Sequence, residues 1–394
     1  MKILFIDDEI NILNSLRRLM RRYRQDWECE FCNDPFQAVE LFTQQSYDLI
    51  VSDMRMPGMN GSKVLAEASR LQPGSIRVIL SGYSEQDSFI EASKWCHIFM
   101  PKPYDEESIQ SLLKRARVLK EMHLEQSEKQ RLGGLSELPV LPEIYQEVDL
   151  LLGQEDFSAA QLGALITREP VMLAKIIQLA NSAFFALPEP VASAEEAVVA
   201  LGTDVIRGLV LNLGLLKSNR LIDESSHRLF LNRSLEIAAM AMQVADVAGG
   251  GRAEREAVFN AGMLNCLGKL VLLCEASMDT EQMRHYVNLA GQPQRIYETE
   301  RGLCHSNDVT AYLLRLWSFP EGLIRLVTGE GLEQDNLSRN APALWLHCAI
   351  AFSQPEPRPI DCLFSEGWLS PALSDGALRA DIVEWYDQLV IQPA

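Results

Sequence analysis

The chain has 394 residues, 47% of them hydrophobic, and a formal net charge of −18, which is ordinary for a soluble protein of two or three domains. The acidic balance argues against nucleic acid and anionic membranes as partners, because both are bound through clustered Lys and Arg side chains. No apolar run approaches the roughly 20 residues that span a bilayer, so the sequence predicts a cytoplasmic protein.

The first 105 residues or so alternate short β-rich runs with amphipathic helical stretches. The runs read "KILFID", "WECEFC", "YDLIVSD", "RVILSG" and "CHIFMPKP". This alternation predicts a doubly wound, parallel, five-stranded α/β domain, in which ligands bind beyond the carboxyl ends of the strands. Asp7, Asp8, Asp53, Ser81 and Lys102 all fall at those ends. We therefore expect one polar site built from several strand ends.

Two of these residues, Asp7 and Asp8, are adjacent acids at the end of an apolar strand. Two carboxylates about 4 Å apart repel by roughly 4 kcal/mol at an effective dielectric constant near 20, so a cation should lie between them. Mg²⁺ prefers oxygen ligands: Asp8 and Asp53 can bind it directly while Asp7 holds a metal-bound water. Asp53 would then act as a nucleophile toward a phosphoryl group, with the Lys102 ammonium offsetting its charge. Taken singly, Asp7 and Asp8 could merely cap a helix, and Lys102 could be an ordinary surface residue.

Residues 105 to about 131 change to a helical and increasingly polar pattern, and "GGLSELPVLP" then breaks the helix. We expect a first domain over 1–120, a helical linker over 121–135 and a second domain over 136–394. The linker is either a solvated connector or a short heptad contact that would make a homodimer.

Helical patterns dominate after Pro142. Apolar-periodic stretches cover roughly 225–248, 253–275, 306–317 and 340–353, which predicts an all-α second domain. Ser193 and Glu196 have the spacing of a capping box. Thr167 and Pro170 predict the start of another helix.

The motifs "FIDDE", "VSDMRMPGMNG", "VILSGY" and "FMPKPY" together resemble the response-regulator receiver domain, a flavodoxin-like fold, over about residues 1–120. The resemblance implies that Asp53 is the phosphoacceptor and that Asp7, Asp8, Asp53 and the backbone carbonyl of Arg55 bind Mg²⁺. It also implies that Lys102 contacts the phosphoryl group and that a sensor histidine kinase or phosphotransfer protein supplies it.

The same resemblance implies a conformational switch. Ser81 would supply a hydroxyl to the phosphoryl oxygen, and Phe99 would change its rotamer in response. Arg55 and Tyr83 occupy positions that usually tune the dephosphorylation rate, and the Lys102-Pro103 peptide bond matches one that is usually cis. The run "KWCHIF" departs from the glycine-containing segment that is commonest before the last strand.

The stretches "LPVLPEIYQEV", "LGALITREPVMLAKIIQLANSAFF" and "SAEEAVVALGTDVIRGLVLNL" resemble the HDOD domain, which is related to metal-dependent HD phosphohydrolases. Those enzymes need a His-Asp doublet to hold the cation that activates water. Here the doublet position is occupied by Asn265 and Cys266 in "FNAGMLNCLGKLVLL". His305 fits a position where a His is common in the family, although it could simply begin the next helix. Asn181 and Ser182 could form a polar recognition point or merely end a helix.

Together these patterns predict a two-component response regulator with a non-catalytic HDOD output that acts by phosphorylation-controlled protein binding. A signalling protein such as an enzyme of cyclic di-GMP turnover is a candidate target by analogy. The alternative is a metal-dependent phosphodiesterase or phosphohydrolase with atypical ligands. A thiolate nucleophile at Cys266 and direct DNA binding are weaker alternatives, since no activating partner and no basic recognition helix are visible in the sequence.

Overall fold

The structure is a computed structural model of the 394-residue chain. It describes all residues except 82–91, 93, 136–146, 149, 153, 155–156, 182–186, 188–189, 203–205, 207–223, 275–277, 331–337, 371–372, 374–376 and 392–394. Elements are numbered below in chain order over the described residues.

The N-terminal part is a five-stranded parallel sheet in the order β2-β1-β3-β4-β5, as the alternating pattern predicts. The strands are β1 (Lys2–Ile6), β2 (Glu28–Cys32), β3 (Leu49–Asp53), β4 (Ile76–Ser81) and β5 (Ile98–Pro101). The helices are α1 (Ile10–Met20), α2 (Pro35–Gln44), α3 (Gly61–Leu71) and α4 (Glu106–Glu121). The three central strands are mostly apolar, and residues 3–6, 49–53 and 76–80 are buried, as expected for a sheet that is covered on both faces.

The register brings the strand ends that carry acids to the same edge. Ile6 pairs with Ser52 across β1 and β3, and Asp53 pairs with Leu80 across β3 and β4. Because all these strands are parallel, the residues that follow β1, β3 and β5 come together at the carboxyl edge of the sheet.

The last helix of this part is followed by a linker helix, and a short turn separates the two. Helix α4 ends at Glu121, and α5 (Gln126–Gly133) follows after a short turn. The ammonium group of Lys129 closes the turn by donating to the backbone carbonyls of Lys120 (2.6 Å) and Met122 (2.8 Å). The linker segment is therefore packed against α4 rather than fully solvated.

Every described element after α5 is helical. The α-helices are α6 (Ala159–Thr167), α7 (Pro170–Ala180), α8 (Ala194–Leu201), α9 (Glu224–Val247), α10 (Arg252–Asn265), α11 (Leu267–Leu273), α12 (Thr280–Asn288), α13 (Gly291–Glu300), α14 (Ser306–Leu316), α15 (Glu321–Thr328), α16 (Pro342–Phe352), α17 (Ile360–Ser365) and α18 (Ala377–Tyr386). The four long stretches predicted from the sequence are helices, although Cys266 divides the second one.

Two predicted helix starts have different outcomes. Ser193 caps α8 by accepting a hydrogen bond from the backbone N–H of Glu196, as its spacing predicts. Thr167 instead ends α6, so its predicted role is wrong; the carboxylate of Glu169 caps α7 by accepting from the Met172 N–H (2.6 Å), with Pro170 in the first turn. Glu169, immediately before Pro170, supplies a better-placed acceptor than Thr167, which lies three residues before the proline.

One stretch of the described chain, residues 252–273, is long and apolar enough by length and composition to cross a bilayer. In its most apolar window 78% is buried inside the protein, as in the core helices of soluble domains. A single such stretch is weak evidence for a membrane span.

The close contact between α11 and α14 generates a stability prediction. A Cβ atom built on Gly268 would lie 1.9 Å from the backbone oxygen of Ser306 and 2.6 Å from Thr310 Oγ1. We expect Gly268→Ala to lower the free energy of unfolding by about 1–3 kcal/mol, the usual cost of overpacking, as measured by chemical denaturation. The control is Gly322→Ala, where a Cβ meets no atom within 4 Å. Equal effects of the two variants would contradict the packing of these helices.

Candidate functional site

Three carboxylates meet at the carboxyl edge of the sheet. Suitable oxygen atoms of Asp7, Asp8 and Asp53 lie within 4.8 Å of one another. Asp7 and Asp8 follow β1, Asp53 ends β3, and the side chains of Asp7 and Asp53 are buried. Among the residues that the structure describes, this is the one group of His, Cys, Asp and Glu close enough to hold a metal ion.

The ammonium group of Lys102 lies between two of these acids. Its Nζ atom is 2.6 Å from Asp53 Oδ1 and 3.0 Å from Asp7 Oδ2. Lys102 follows β5, so a residue from the edge of the sheet bridges acids from the two central strands. The Lys102-Pro103 peptide bond is cis, as the resemblance implies. The ammonium ion therefore supplies part of the positive charge that the acidic cluster requires.

Backbone N–H groups hold the remaining oxygens of the buried acids. The Glu9 N–H donates to Asp7 Oδ1 (2.9 Å), and the Arg55 N–H donates to Asp53 Oδ2 (3.1 Å). Burial raises the pKa of Asp53, and the charge of Asp7 adds to the rise, while Lys102 acts in the opposite direction. Burial acts to lower the pKa of Lys102, but Asp53 and Asp7 outweigh it, so this pKa lies above its ordinary value. Lys102 therefore stays a cation beside the two acids.

The predicted switch residues are described only in part. Phe99 is 3% exposed and lies in β5, which β4 separates from the strand that carries Asp53. Ser81 ends β4, but its side chain and the whole of Tyr83 lie outside the described part of the chain. Their roles remain predictions from the resemblance, as does metal binding by the Arg55 carbonyl.

The donor set of this site fits a hard divalent cation. All three convergent side chains offer carboxylate oxygens, and Asp8 is only half-buried, which leaves room for water ligands. Mg²⁺ is usually held by one or two carboxylates and several waters. Asp8 and Asp53 could therefore bind Mg²⁺ directly and Asp7 through a water molecule.

The residues at the HD doublet position have structural partners. Asn265 ends α10, and its side-chain amide donates to the backbone carbonyl of Val327 (3.0 Å). Cys266 is 2% exposed and separates α10 from α11. Asn181 likewise ends α7, and its amide group both donates to and accepts from the backbone of Val191. Ser182 lies outside the described residues.

His305 belongs to a buried polar cluster that the sequence did not reveal. It is the N-cap residue of α14, and its Nδ1 atom lies 3.2 Å from the fully buried carboxylate of Glu298. That carboxylate also accepts hydrogen bonds from Tyr286 Oη (2.8 Å), Gln294 Nε2 (3.0 Å) and the Ser306 N–H (3.2 Å). Gln294 and Glu298 lie four residues apart on one helix face, which was the available signal in the sequence.

Lys269 lies close to this cluster. Its ammonium group is buried beneath α12, where it donates to the backbone carbonyls of Val287 (3.1 Å) and Leu289. Burial lowers the pKa of Lys269 to about 8. Both buried charges, Glu298 and Lys269, are thus hydrogen-bonded to groups of the helical domain itself, which is what a structural role requires.

Comparison with known proteins identifies both parts of the chain. A model of the response regulator receiver domain matches residues 3–114, and a model of the HDOD domain matches residues 138–330. The transcriptional regulatory protein ZraR of Escherichia coli K12 is 31% identical over 115 residues, which are 29% of this chain and 26% of ZraR. The sporulation initiation phosphotransferase F of Bacillus subtilis is 26% identical over 120 residues, which are 30% of this chain and 95% of that protein.

Solved structures are similar to part of the chain. The crystal structure of the MmoQ response regulator fragment 20-298 from Methylococcus capsulatus is 24% identical and covers 63% of this chain and 91% of that one, with a TM-score of 0.44. A signal receiver domain of an HD domain-containing protein from Pseudomonas fluorescens Pf-5 is 26% identical over 29% of this chain and 85% of its own, with a TM-score of 0.28.

The parallel sheet with acids at its carboxyl edge and the receiver match define a two-component signalling protein. The chain is a response regulator with an N-terminal receiver domain and a C-terminal HDOD domain. Receiver domains generally bind Mg²⁺ at an acidic site and interact with histidine kinases or phosphotransfer proteins, and the family is generally soluble.

The bridging role of Lys102 can be tested through stability. We expect Lys102→Met to lower the free energy of unfolding by about 3–5 kcal/mol without Mg²⁺, because two buried carboxylates lose their cation. Addition of Mg²⁺ should restore part of the loss. The matched control is Lys120→Met, which breaks a half-exposed pair with Asp48 and should cost about 1 kcal/mol or less. Chemical denaturation with and without Mg²⁺ measures both variants; equal losses, or no effect of Mg²⁺, would contradict the account.

Proposed function

We propose that a histidine kinase or phosphotransfer protein phosphorylates Asp53 and that this controls protein binding by a non-catalytic HDOD domain. The observation that carries the proposal is the position of Asp53, which is buried beside two other acids with its Oδ1 atom 2.6 Å from the Lys102 ammonium. Regions 1–120, 121–135 and 136–394 serve as receiver, linker and output.

The geometry suits an acyl-phosphate mechanism. A carboxylate oxygen of Asp53 attacks the phosphorus atom, and the bond from phosphorus to the donor's nitrogen or oxygen breaks, so the leaving group takes the electron pair. Mg²⁺, when bound, offsets the charge of the transferred group. Lys102 Nζ, already within hydrogen-bond distance of the carboxylate, moves to a phosphoryl oxygen. The Arg55 N–H keeps the second oxygen of Asp53 in place.

A neighbouring hydroxyl and ring complete the proposed site. By the resemblance, the Ser81 hydroxyl contacts the phosphoryl oxygen, and Phe99 and Tyr83 respond to it. The resulting acyl phosphate adds about −1.5 to −2 charges at the end of β3. The neighbouring strands of the sheet are β1 and β4.

A non-catalytic output is supported by what the residues at the HD positions contact. Asn265 is engaged with a backbone carbonyl, Cys266 is buried between two helices, and His305 is paired with Glu298. We propose that the HDOD domain acts instead by binding a downstream signalling protein in the cytoplasm, with an enzyme of cyclic di-GMP turnover as a candidate. Assembly of a homodimer through the linker is part of the same proposal.

The phosphoacceptor can be tested with acetyl phosphate. We expect the wild-type protein with Mg²⁺ to gain one phosphoryl group by intact-mass analysis, and Asp53→Ala to gain none. The matched control is Asp34→Ala, which removes the exposed carboxylate that caps α2 and should be labelled normally. Labelling of Asp53→Ala at the wild-type stoichiometry would rule out the assignment.

The non-catalytic output can be tested by metal analysis and a hydrolase screen. We expect Asp53→Ala, dialysed against a chelator, to retain less than a stoichiometric amount of tightly bound transition metal and to leave cyclic dinucleotides intact. Cys266→Ala in the same background should behave identically. Stoichiometric metal and a phosphodiesterase activity that Cys266→Ala abolishes would favour a hydrolase with atypical ligands.

A further inference from the structure

Two neighbouring strands connect the acidic site to the opposite edge of the sheet. Strands β4 and β5 end at Ser81 and just before Lys102, and they begin beside Arg77 and His97. At about 3.3 Å per residue, the four residue steps from Arg77 to Ser81 put Arg77 roughly 13 Å from the carboxyl end of β4. A pair of hydrogen-bonded strands therefore joins the acidic site to the residues at this far end.

Arg77 is a buried cation that donates to four backbone carbonyls and whose Nη2 atom also lies 2.8 Å from His97 Nε2. It is 1% exposed and donates to Trp95 (2.6 Å), Gly133 (2.7 Å), Pro73 (3.2 Å) and Ser75 (3.3 Å). Burial lowers its pKa to about 10. Gly133 ends the linker helix α5, so the guanidinium group ties β4 to the linker as well as to its own domain.

His97 contacts the same carbonyl. Its Nδ1 atom accepts a hydrogen bond from the Arg77 N–H (3.1 Å), and its Nε2 atom lies 3.0 Å from the Gly133 oxygen. The same Nε2 atom lies 2.8 Å from Arg77 Nη2, so the imidazole contacts Arg77 through both of its nitrogens and the Gly133 oxygen through one. Burial, followed by the charge of Arg77, holds the pKa of His97 well below its ordinary value, so the ring is neutral.

The HDOD domain reaches the same residue from the other side. Gln178, on the buried face of α7, donates from Nε2 to the His97 carbonyl oxygen at 3.4 Å. Its Oε1 atom is buried without a hydrogen-bond partner among the described residues. A long hydrogen bond and an unsatisfied oxygen are costly in a buried interface, so this contact is well suited to being broken.

We propose that His97 is the joint through which the phosphorylation state of the receiver reaches the output domain. The imidazole and the Arg77 guanidinium together contact the linker at the Gly133 oxygen, and the His97 carbonyl contacts α7 at Gln178. A shift of β4 and β5 at the acidic site would displace both contacts together and loosen the HDOD domain from the receiver. This inference rests on the proposed function, in which Asp53 receives the phosphoryl group.

A second contact between the domains provides a comparison. Arg115 of α4 donates to the Ser318 hydroxyl just after α14, and neither residue lies in β4 or β5. Loss of this contact should weaken docking without interrupting the path from the acidic site.

The test is hydrogen exchange followed by mass spectrometry on the full chain, with and without Mg²⁺ and beryllofluoride, a phosphoryl mimic. In the wild-type protein we expect beryllofluoride to slow exchange in β3 and to speed exchange in α5 and α7 by about tenfold, within the usual range of coupling between sites. Gln178→Leu should lose most of the change that beryllofluoride causes in α7, and His97→Leu most of the change in both α5 and α7, because the contact that links β5 to these helices is absent. Ser318→Ala should keep the response of the wild type.

The possible failures are distinguishable. If β3 of the wild type does not respond to beryllofluoride, the proposed function fails. If β3 responds while α5 and α7 keep the same exchange rates, the proposed role of His97 is wrong and the proposed function stands. The same conclusion follows if both leucine variants respond as the wild type does. Because Gln178→Leu removes an unsatisfied buried amide, it tests the joint even if His97→Leu fails to fold.

Discussion

The receiver site depends on one electrostatic constraint, which is that three carboxylates share a space less than 5 Å across. The Lys102 ammonium meets part of the requirement by binding Asp7 and Asp53 at once. It can do so only because β1, β3 and β5 are parallel and deliver their last residues to one edge. A divalent cation bound at the three carboxylates would meet the rest, and the fold of the first domain holds these charges together.

The same constraint explains what could be predicted from the sequence. Strands with apolar centres and acidic ends predict both the sheet and the site, because parallel strands place those ends at the same edge. The second domain was predictable as helical from its periodicity. The partners of its buried polar groups were not, because Glu298 meets Tyr286 and Ser306 through the packing of separate helices, which no local pattern encodes.

One error of detail and one contact that no pattern predicted have a similar origin. Thr167 was expected to start a helix, but the carboxylate of Glu169 is closer to the free N–H groups of α7. Arg77 reads in the sequence as a charged residue near a strand start, and only the approach of Gly133 from the linker shows why it is buried. His97, in the run "KWCHIF", contacts both the linker and Gln178, and no pattern in the sequence indicates this role.

The most direct test of the account is affinity capture from cell lysate with two baits, identified by mass spectrometry. One bait is the wild-type chain with Mg²⁺ and beryllofluoride, and the other is Asp53→Ala treated identically. The account predicts that the two baits hold different signalling proteins, because the HDOD surface is presented only in one state of the receiver. The same set of proteins on both baits, or none on either, would contradict a phosphorylation-controlled output.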